Sequence, residues 1–290
     1  MVAEKFEVLE RGFFQEKGPP EYGRQDLGYS PGGAQDQFSL ATGNILLENE
    51  PWAPALEIVL PPRLRFLEDS CFVLTGGGFD DVVLYRGGGG MEVDAGALPV
   101  EHARAYFAPA GSIIGFGNRV YGFRTYLCFR PQPKHRGRIV GRSRGAFHEI
   151  CRWPDAEGRI RVLPGPEYAC LHDPKGFLAT RWQISVDVSD MGLKLHCEQQ
   201  LGGQTDMISV PVNDGTIQLT PSGPIVLLRN RQTVGGYPRV LNVISSDLDL
   251  LAQYGPLQYL RFCSVTLVEA QAVARTKKED LERLRRRFLK

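Results

Sequence analysis

The sequence is short of nearly every signature by which a single chain announces its chemistry. Its net charge is +1, so no global field recruits nucleic acid or an acidic membrane. The one basic cluster, Arg283 to Arg287 in LERLRRRF, reads as a solvated helix face. No apolar run approaches the roughly 20 residues that span a bilayer. The opening MVAEKFEVLE alternates charge with apolar residues and lacks the apolar stretch of a secretory leader. A cytoplasmic protein is expected. Six cysteines (71, 128, 151, 170, 197, 263) are scattered without a C-x-x-C pair, which reads as buried reduced thiols. The five histidines have no metal-ligand spacing, so no metal is expected. There is no G-x-x-x-x-G-K-[ST] phosphate loop and no G-x-S-x-G elbow. TGGGFDD (75–81) and RGGGGM (86–91) open no helical pattern and read as tight β-turns. Generic motifs identify no enzyme.

What is present is β-structure. The 290 residues, 42% hydrophobic and 23% charged, suffice for one large or two medium domains with a true core. Glycine (33) and proline (20) punctuate many short β-type runs, among them ALEIVL, CFVLTG, YGFRTYLCF, RIRVLPG, PIVLLR, YPRVLNVI and YLRFCSVTL. Strands of this length, broken by turn residues, predict a mainly β protein closed into barrels or sandwiches. Three helices are expected: QFSLATGNILLEN with Asp36 as N-cap, SSDLDLLAQY capped by Ser245 or Ser246, and the long C-terminal EAQAVARTKKEDLERLRRRFLK. The polar, basic stretch 130–158 separates two β-rich halves. This places a boundary near residue 155, with subdomains at 1–155 and 156–290; a long surface loop within one domain is the alternative.

One stretch resists a purely structural account. RQTVGGYPRV (231–240) lies between two strand-like runs, so TVGGY reads first as their connecting turn, with glycine supplying positive φ. A turn, however, has no need of Gln232, Thr233 and Tyr237 together. An amide, a hydroxyl and bare glycine backbone would also suit a small planar polar substrate, the backbone N–H groups steadying charge on its oxygen.

This stretch also carries a resemblance. GTIQLTPSGPIVLLRNRQTVGGYPRVLNVISSDLDLLAQYGPLQYLRFCSVTLVEA (215–270) resembles the C-terminal signature of the biotin-dependent carboxyltransferase-like family, also called allophanate hydrolase subunit 2. That pattern is met by Gly215, Ile217, Gln218, Gly223, Pro224, Gln232, Thr233, Gly235 to Pro238, Asp247, Gln253 and Glu269. GYSPGGAQDQFSLATGNILLENEPWAPALEI (28–58) is similar to the family's N-terminal signature. The family includes the C-type subunit of bacterial ATP-dependent 5-oxoprolinase, an antagonist of a sporulation-kinase inhibitor, and part of the carboxyltransferase domain of urea carboxylase. The resemblance implies a cyclophilin-like β-barrel architecture and a homologous partner, subunit 1 or its B-type counterpart. Carried over by position, it implies that Gln218, Gln232, Thr233, Gly235, Gly236 and Tyr237 contribute to a substrate pocket, with Asp36, Asn44 and Glu57 from the first half. Each of those three also has a structural reading: a helix cap for Asp36, a backbone bond for Asn44, an ion pair for Glu57.

The departures are as specific as the matches. Where the family carries Q-D-x-G-R-x-G, this chain has QEKGPPEYGRQDLG, with Glu16 for the acid and Pro19 where arginine is expected; Arg24 and Asp26 are the available stand-ins. The usual S-D-R-M-G becomes VSDMG, with Asp190 in the arginine's place, and the acid before Q-T becomes Asn230. Losing an arginine removes a bidentate anion donor. Three functions follow from the resemblance: a subunit of an ATP-dependent amidohydrolase of the 5-oxoprolinase type, the nucleotide not being held by this chain alone; a carboxyltransferase half, whose biotin carrier and carboxylase lie elsewhere; and a non-catalytic subunit that sequesters a kinase-inhibitor homologue.

Overall fold

Alternation and glycine placement explain most of the architecture. The computed structural model describes residues 2–86, 96–133, 136–142, 157–197 and 207–288. Two compact units divide the chain: residues 1–19, 36–153 and 280–290 in the first, residues 20–35 and 154–279 in the second. The GGGGM of RGGGGM (87–91) and most of the 130–158 stretch lie outside the described residues.

The first unit holds two five-stranded sheets. One has the order β1 (Phe6–Glu10), β4 (Arg63–Phe66), β9 (Ile113–Gly115), β6 (Val83–Tyr85), β7 (Ala97–Pro99). The other runs β2 (Phe13–Lys17), β3 (Ala55–Leu60), β10 (Arg119–Pro131), β5 (Ser70–Phe79), β8 (Tyr106–Ala108). In β4 the period of two is plain: Leu64 and Phe66 are buried, while Arg63 and Arg65 turn outward to Glu10 and Glu7 of β1. Phe6, Phe66, Phe72, Leu74, Ile114, Leu127 and Phe129 belong to the core the two sheets share. The expected helix is Gln37–Leu46, and Asp36 is its N-cap, accepting from the Ser39 N–H at 2.9 Å. Gly43 sits mid-helix because a Cβ there would strike the Cys128 sulfur on β10.

One turn assignment is corrected here. TGGGF is the second half of β5, not a tight turn. Its glycines make room for the neighbouring strand: a Cβ on Gly78 would overlap the Tyr121 ring, and one on Gly77 would meet the Tyr121 carbonyl at 3.0 Å. Beside them the β5–β10 register shifts between Tyr121 and Thr125.

The second unit is a closed barrel in the order β11 (Arg159–Pro164), β18 (Arg239–Val243), β15 (Thr216–Thr220), β16 (Gly223–Leu227), β13 (Gly192–His196), β12 (Trp182–Ile184), β19 (Tyr259–Ser264), back to β11. The mainly β, barrel-containing class stands. β11 and β19 close the ring as a parallel pair, the one such pair among the described residues. Ile160, Val162, Trp182, Leu193, Leu195, Ile217, Leu219, Val226, Val240, Leu241 and Leu260 are among the residues of the barrel's core. A separate short pair joins β14 (Val210–Pro211) to β17 (Val234–Gly235).

Two further expectations change. SSDLDLLAQY is not one capped helix: Ser245–Asp247 is a 3-10 turn with no side-chain cap, followed by the single α-turn Leu248–Leu251. Asp247 is turned instead onto Arg161, whose Nε and backbone N–H both donate to its Oδ2 at 2.9 Å. β16 and β18 do not form a hairpin either, because β15 lies between them. The third expected helix is present as Leu267–Phe288.

Arg239, the first residue of β18, ties three segments together. Its Nε and Nη2 donate to the two Glu167 carboxylate oxygens at 2.9 and 2.7 Å, and its Nη1 donates to the Pro211 carbonyl at 2.8 Å. The hydrogen bond from Arg239 holds the Glu167 carboxyl below its ordinary value of 4.5. A carboxyl depressed on folding stabilises above its unfolded value and loses that contribution as pH falls through the folded one. Urea midpoints measured between pH 7 and pH 3 should therefore drop more steeply below about pH 4.5 for the natural chain than for Glu167→Gln. Parallel curves would show that the pair contributes nothing.

Candidate active site

The outer face of the barrel carries the chemistry because the inner face is filled with apolar side chains. Along β13, Leu193 and Leu195 point inward and Gly192 and Lys194 outward; along β15, Ile217 and Leu219 point inward and Gln218 outward. Register aligns these outward residues across three strands. Lys194 pairs with Ile225, Ile225 with Gln218, and Gly192 with Leu227. Over this row lies a cleft of about 210 Å3, lined by Asp187, Ser189, Met191, Gly192, Lys194, Gln218, Ile225, Leu227, Gln232 and Tyr237. That is small beside the roughly 300–1,000 Å3 of drug-sized sites, and suits a small metabolite.

Close packing accounts for the composition of RQTVGGYPRV. Gln218, 2% exposed, donates from Nε2 to the Tyr237 carbonyl at 3.3 Å and accepts at Oε1 from Gln232 Nε2 at 3.4 Å. Its amide lies directly on Gly235, where a Cβ would overlap it. Gly236 accepts at its carbonyl from Met207 N–H at 3.1 Å, and a Cβ there would lie 3.1 Å from the Met207 carbonyl. Neither glycine adopts positive φ, so the expected reason for both is replaced: they admit neighbours rather than a left-handed turn. Thr233 accepts at its carbonyl from Val212 N–H at 3.0 Å. Beside Gln218 the β15–β18 register steps from Ile217↔Leu241 to Gln218↔Arg239, leaving Val240 as the extra residue of a bulge, a device that re-aims side chains.

Of the nine residues singled out, Gln218, Gln232 and Tyr237 line the cleft, and Thr233, Gly235 and Gly236 complete the segment that carries two of them. Asp36, Asn44 and Glu57 belong to the other unit. There the Asp36 N–H donates to the Tyr126 hydroxyl at 2.7 Å, and that hydroxyl donates to Glu57 Oε2 at 2.6 Å. Glu57 also pairs with buried Arg124 at 3.3 Å. Burial, then the Glu57 and Asp36 carboxylates, pushes the Tyr126 phenol well above its ordinary value. Asn44 Nδ2 donates to the Ala53 carbonyl at 2.7 Å.

The substituted positions meet one another. Asn230 Nδ2 donates to Asp190 Oδ2 at 3.3 Å, and Asn230 N–H to the Asp190 carbonyl at 3.3 Å. Gln35, 1% exposed, joins them: its Nε2 donates to the Asp190 carbonyl at 3.0 Å and its Oε1 accepts from Arg229 N–H at 3.3 Å. The changes at 190 and 230 thus form one contact between the two segments that carry Ser189, Met191 and Gln232. Arg24, a candidate stand-in, lies over the Tyr29 ring at 4.3 Å. Pro19 belongs to the first unit.

Sequence reasoning missed the buried charges beneath the segment. Arg231 pairs with Asp214 at 2.9 Å, Asp214 with Arg229 at 3.7 Å, Arg229 with Asp249 at 2.9 Å, and Asp249 with Lys277. Burial raises the Asp214 carboxyl above its ordinary value although Arg231 and Arg229 pull it down. Arg231 Nη1 also donates to the Gln232 carbonyl at 3.2 Å. Asp187, Ser189 and Lys194 in the cleft were missed too; the alternation in GLKLH was the signal available for Lys194.

Comparison with known proteins identifies the family. Residues 27–135 and 141–264 match the model of the carboxyltransferase domain, subdomains A and B, and the chain belongs to that family. The C-type subunit of 5-oxoprolinase from Haemophilus influenzae is 30% identical over 97% of this chain and 96% of its own length. Its counterpart from Escherichia coli is 31% identical over 91% and 92%. The crystal structure of the Kluyveromyces lactis urea amidolyase, 17% identical, shares the fold with a TM-score of 0.78 over 96% of this chain, which spans 20% of that one.

Gly235→Ala tests the packing. The methyl group meets the mobile end of Gln218 and not backbone, so the thermal midpoint should move little while Gln218 and Gln232 lose their alignment. Amide-ligand binding should weaken about tenfold, the equivalent of about 1.4 kcal/mol. Unaltered binding would show that the Gln218 position is immaterial.

Proposed function

We propose that the chain is one subunit of an ATP-dependent amidohydrolase of the 5-oxoprolinase type, and that its cleft takes a small cyclic or urea-like amide. The observation that carries this reading is the apposition of the Gln218 and Gln232 amides beneath Tyr237. Gln232 Oε1, which accepts no hydrogen bond among the described residues, would take the substrate's amide N–H. The Tyr237 hydroxyl, on a residue 36% exposed, would donate to its carbonyl oxygen. Ile225 and Leu227 supply an apolar floor against the ring or methylene face. Positioning of this kind lowers a barrier by fixing the reacting groups before reaction.

ATP is not assigned to this chain. Its TGGGF run is strand packed against Tyr121 and offers no helix N-terminus to a phosphate. ATP use belongs to the complex with a homologous subunit 1 or B-type protein, and no step here is routed through the nucleotide. The family match favours a second reading, in which the same amides face the ureido group of biotin carried by another chain. A third, a binding subunit without catalysis, draws on the Asp190–Asn230 contact, where an anion stands in place of the family's arginine. Among the described residues no helix is long and apolar enough to cross a membrane, and neither a membrane nor nucleic acid is a partner in any of these readings.

The test is reconstitution with the homologous subunit and assay of ATP-dependent hydrolysis of 5-oxoproline. Gln232→Ala and Tyr237→Ala should each lower turnover by about 10²-fold, in line with removal of a single preorganised donor or acceptor, with the assembled complex intact by size-exclusion chromatography. Turnover unchanged in both variants would remove the pocket assignment. Biotin-dependent carboxyl transfer in place of hydrolysis would select the second reading.

A further inference from the structure

We infer that Lys194 is the specificity-determining residue of this cleft, selecting amides that carry a carboxylate over neutral ones. The inference rests on the reading of the cleft as an amide site and adds to it the second group of the substrate. Lys194 is the one lysine or arginine among the lining residues, and Asp187 the one carboxylate. Neither side chain forms an ion pair among the described residues. That contrasts with the neighbouring charges: Arg229, Arg231 and Asp249 are buried, and all three are paired, with the partly buried Asp214 as partner to both arginines. Two exposed opposite charges, without an ion-pair partner among the described residues, thus line one small cleft where a ligand can engage them.

Register gives the distance. Lys194 and Gln218 face Ile225 from opposite sides, so their backbones lie about 10 Å apart, two strand spacings. Gln218 and Gln232 hold the amide end, Ile225 is the apolar floor between, and the flexible Lys194 stem can bring its ammonium back over that floor. Glycine at 192 keeps this side of the floor low: a Cβ would lie 3.0 Å from the Val226 carbonyl and 3.1 Å from Ile225 Cγ2. A molecule that bridges the two ends has an amide at one and an anionic group at the other, a few bonds apart. Asp187 then sets the anion's place by repulsion, which disfavours a second carboxylate at its own side of the cleft.

The test uses a matched pair of lactams, 5-oxoproline and 2-pyrrolidinone, which differ by the carboxylate alone. Binding to the full-length chain is measured by titration calorimetry for the natural protein, Lys194→Met and Lys194→Arg. The natural chain should prefer 5-oxoproline by about tenfold at low salt, with the preference shrinking in about 0.5 M salt as screening predicts. Lys194→Met should lose that preference while keeping its affinity for 2-pyrrolidinone, which also shows that the barrel is intact. Lys194→Arg should retain most of it. An undiminished preference in Lys194→Met overturns the role of Lys194 and leaves the amide site standing. Absence of binding of either lactam to the natural chain overturns the amide site itself, and the inference with it.

Discussion

The segment that presents Gln232 is held from below by alternating charges, of which Arg231, Arg229 and Asp249 are buried and Asp214 and Lys277 partly buried. Ions removed from water are tolerated only when they are paired. Deleting one member leaves an uncompensated neighbour, a loss of about 3–5 kcal/mol for buried pairs in general. Such an arrangement gives little net stability but fixes geometry, because few alternative placements satisfy every charge. Its direct contact with the cleft is the bond from Arg231 to the Gln232 carbonyl. The long C-terminal helix enters through Lys277, which also donates to the Ser246 carbonyl at 2.9 Å.

A closed barrel separates stability from chemistry. Its interior is committed to apolar side chains, mostly leucine, isoleucine and valine with a few aromatics, and its outer face is free to carry amides and charges at spacings set by strand register. Small residues then decide what fits: Gly235 admits the Gln218 amide, Gly236 the Met207 carbonyl, and Gly192 leaves the floor open. The bulge beside Gln218 re-aims the strand where the site begins.

Within the carboxyltransferase-domain family this chain differs at positions that touch. The Asp190–Asn230 hydrogen bond, braced by Gln35, is an amide–carboxylate contact that joins the two cleft-bearing segments.

The β-rich class, the cap at Asp36, the C-terminal helix and the family were all legible in the order of residues, because periodicity, capping and a specific motif are local or ordered along the chain. Gln218, Gln232 and Tyr237 were legible in the same way. Glycine was misread: Gly235, Gly236 and the run in β5 satisfy contacts with residues distant in sequence, and no local pattern distinguishes such a glycine from one in a turn. Lys194, Asp187 and the charges under Gln232 went unseen as well. An exposed lysine and a buried arginine look alike until strand order and register place them. The folded barrel alone set β16 between β13 and β15, and so put Lys194, Ile225 and Gln218 in one row, since strand pairing depends on packing across the whole barrel.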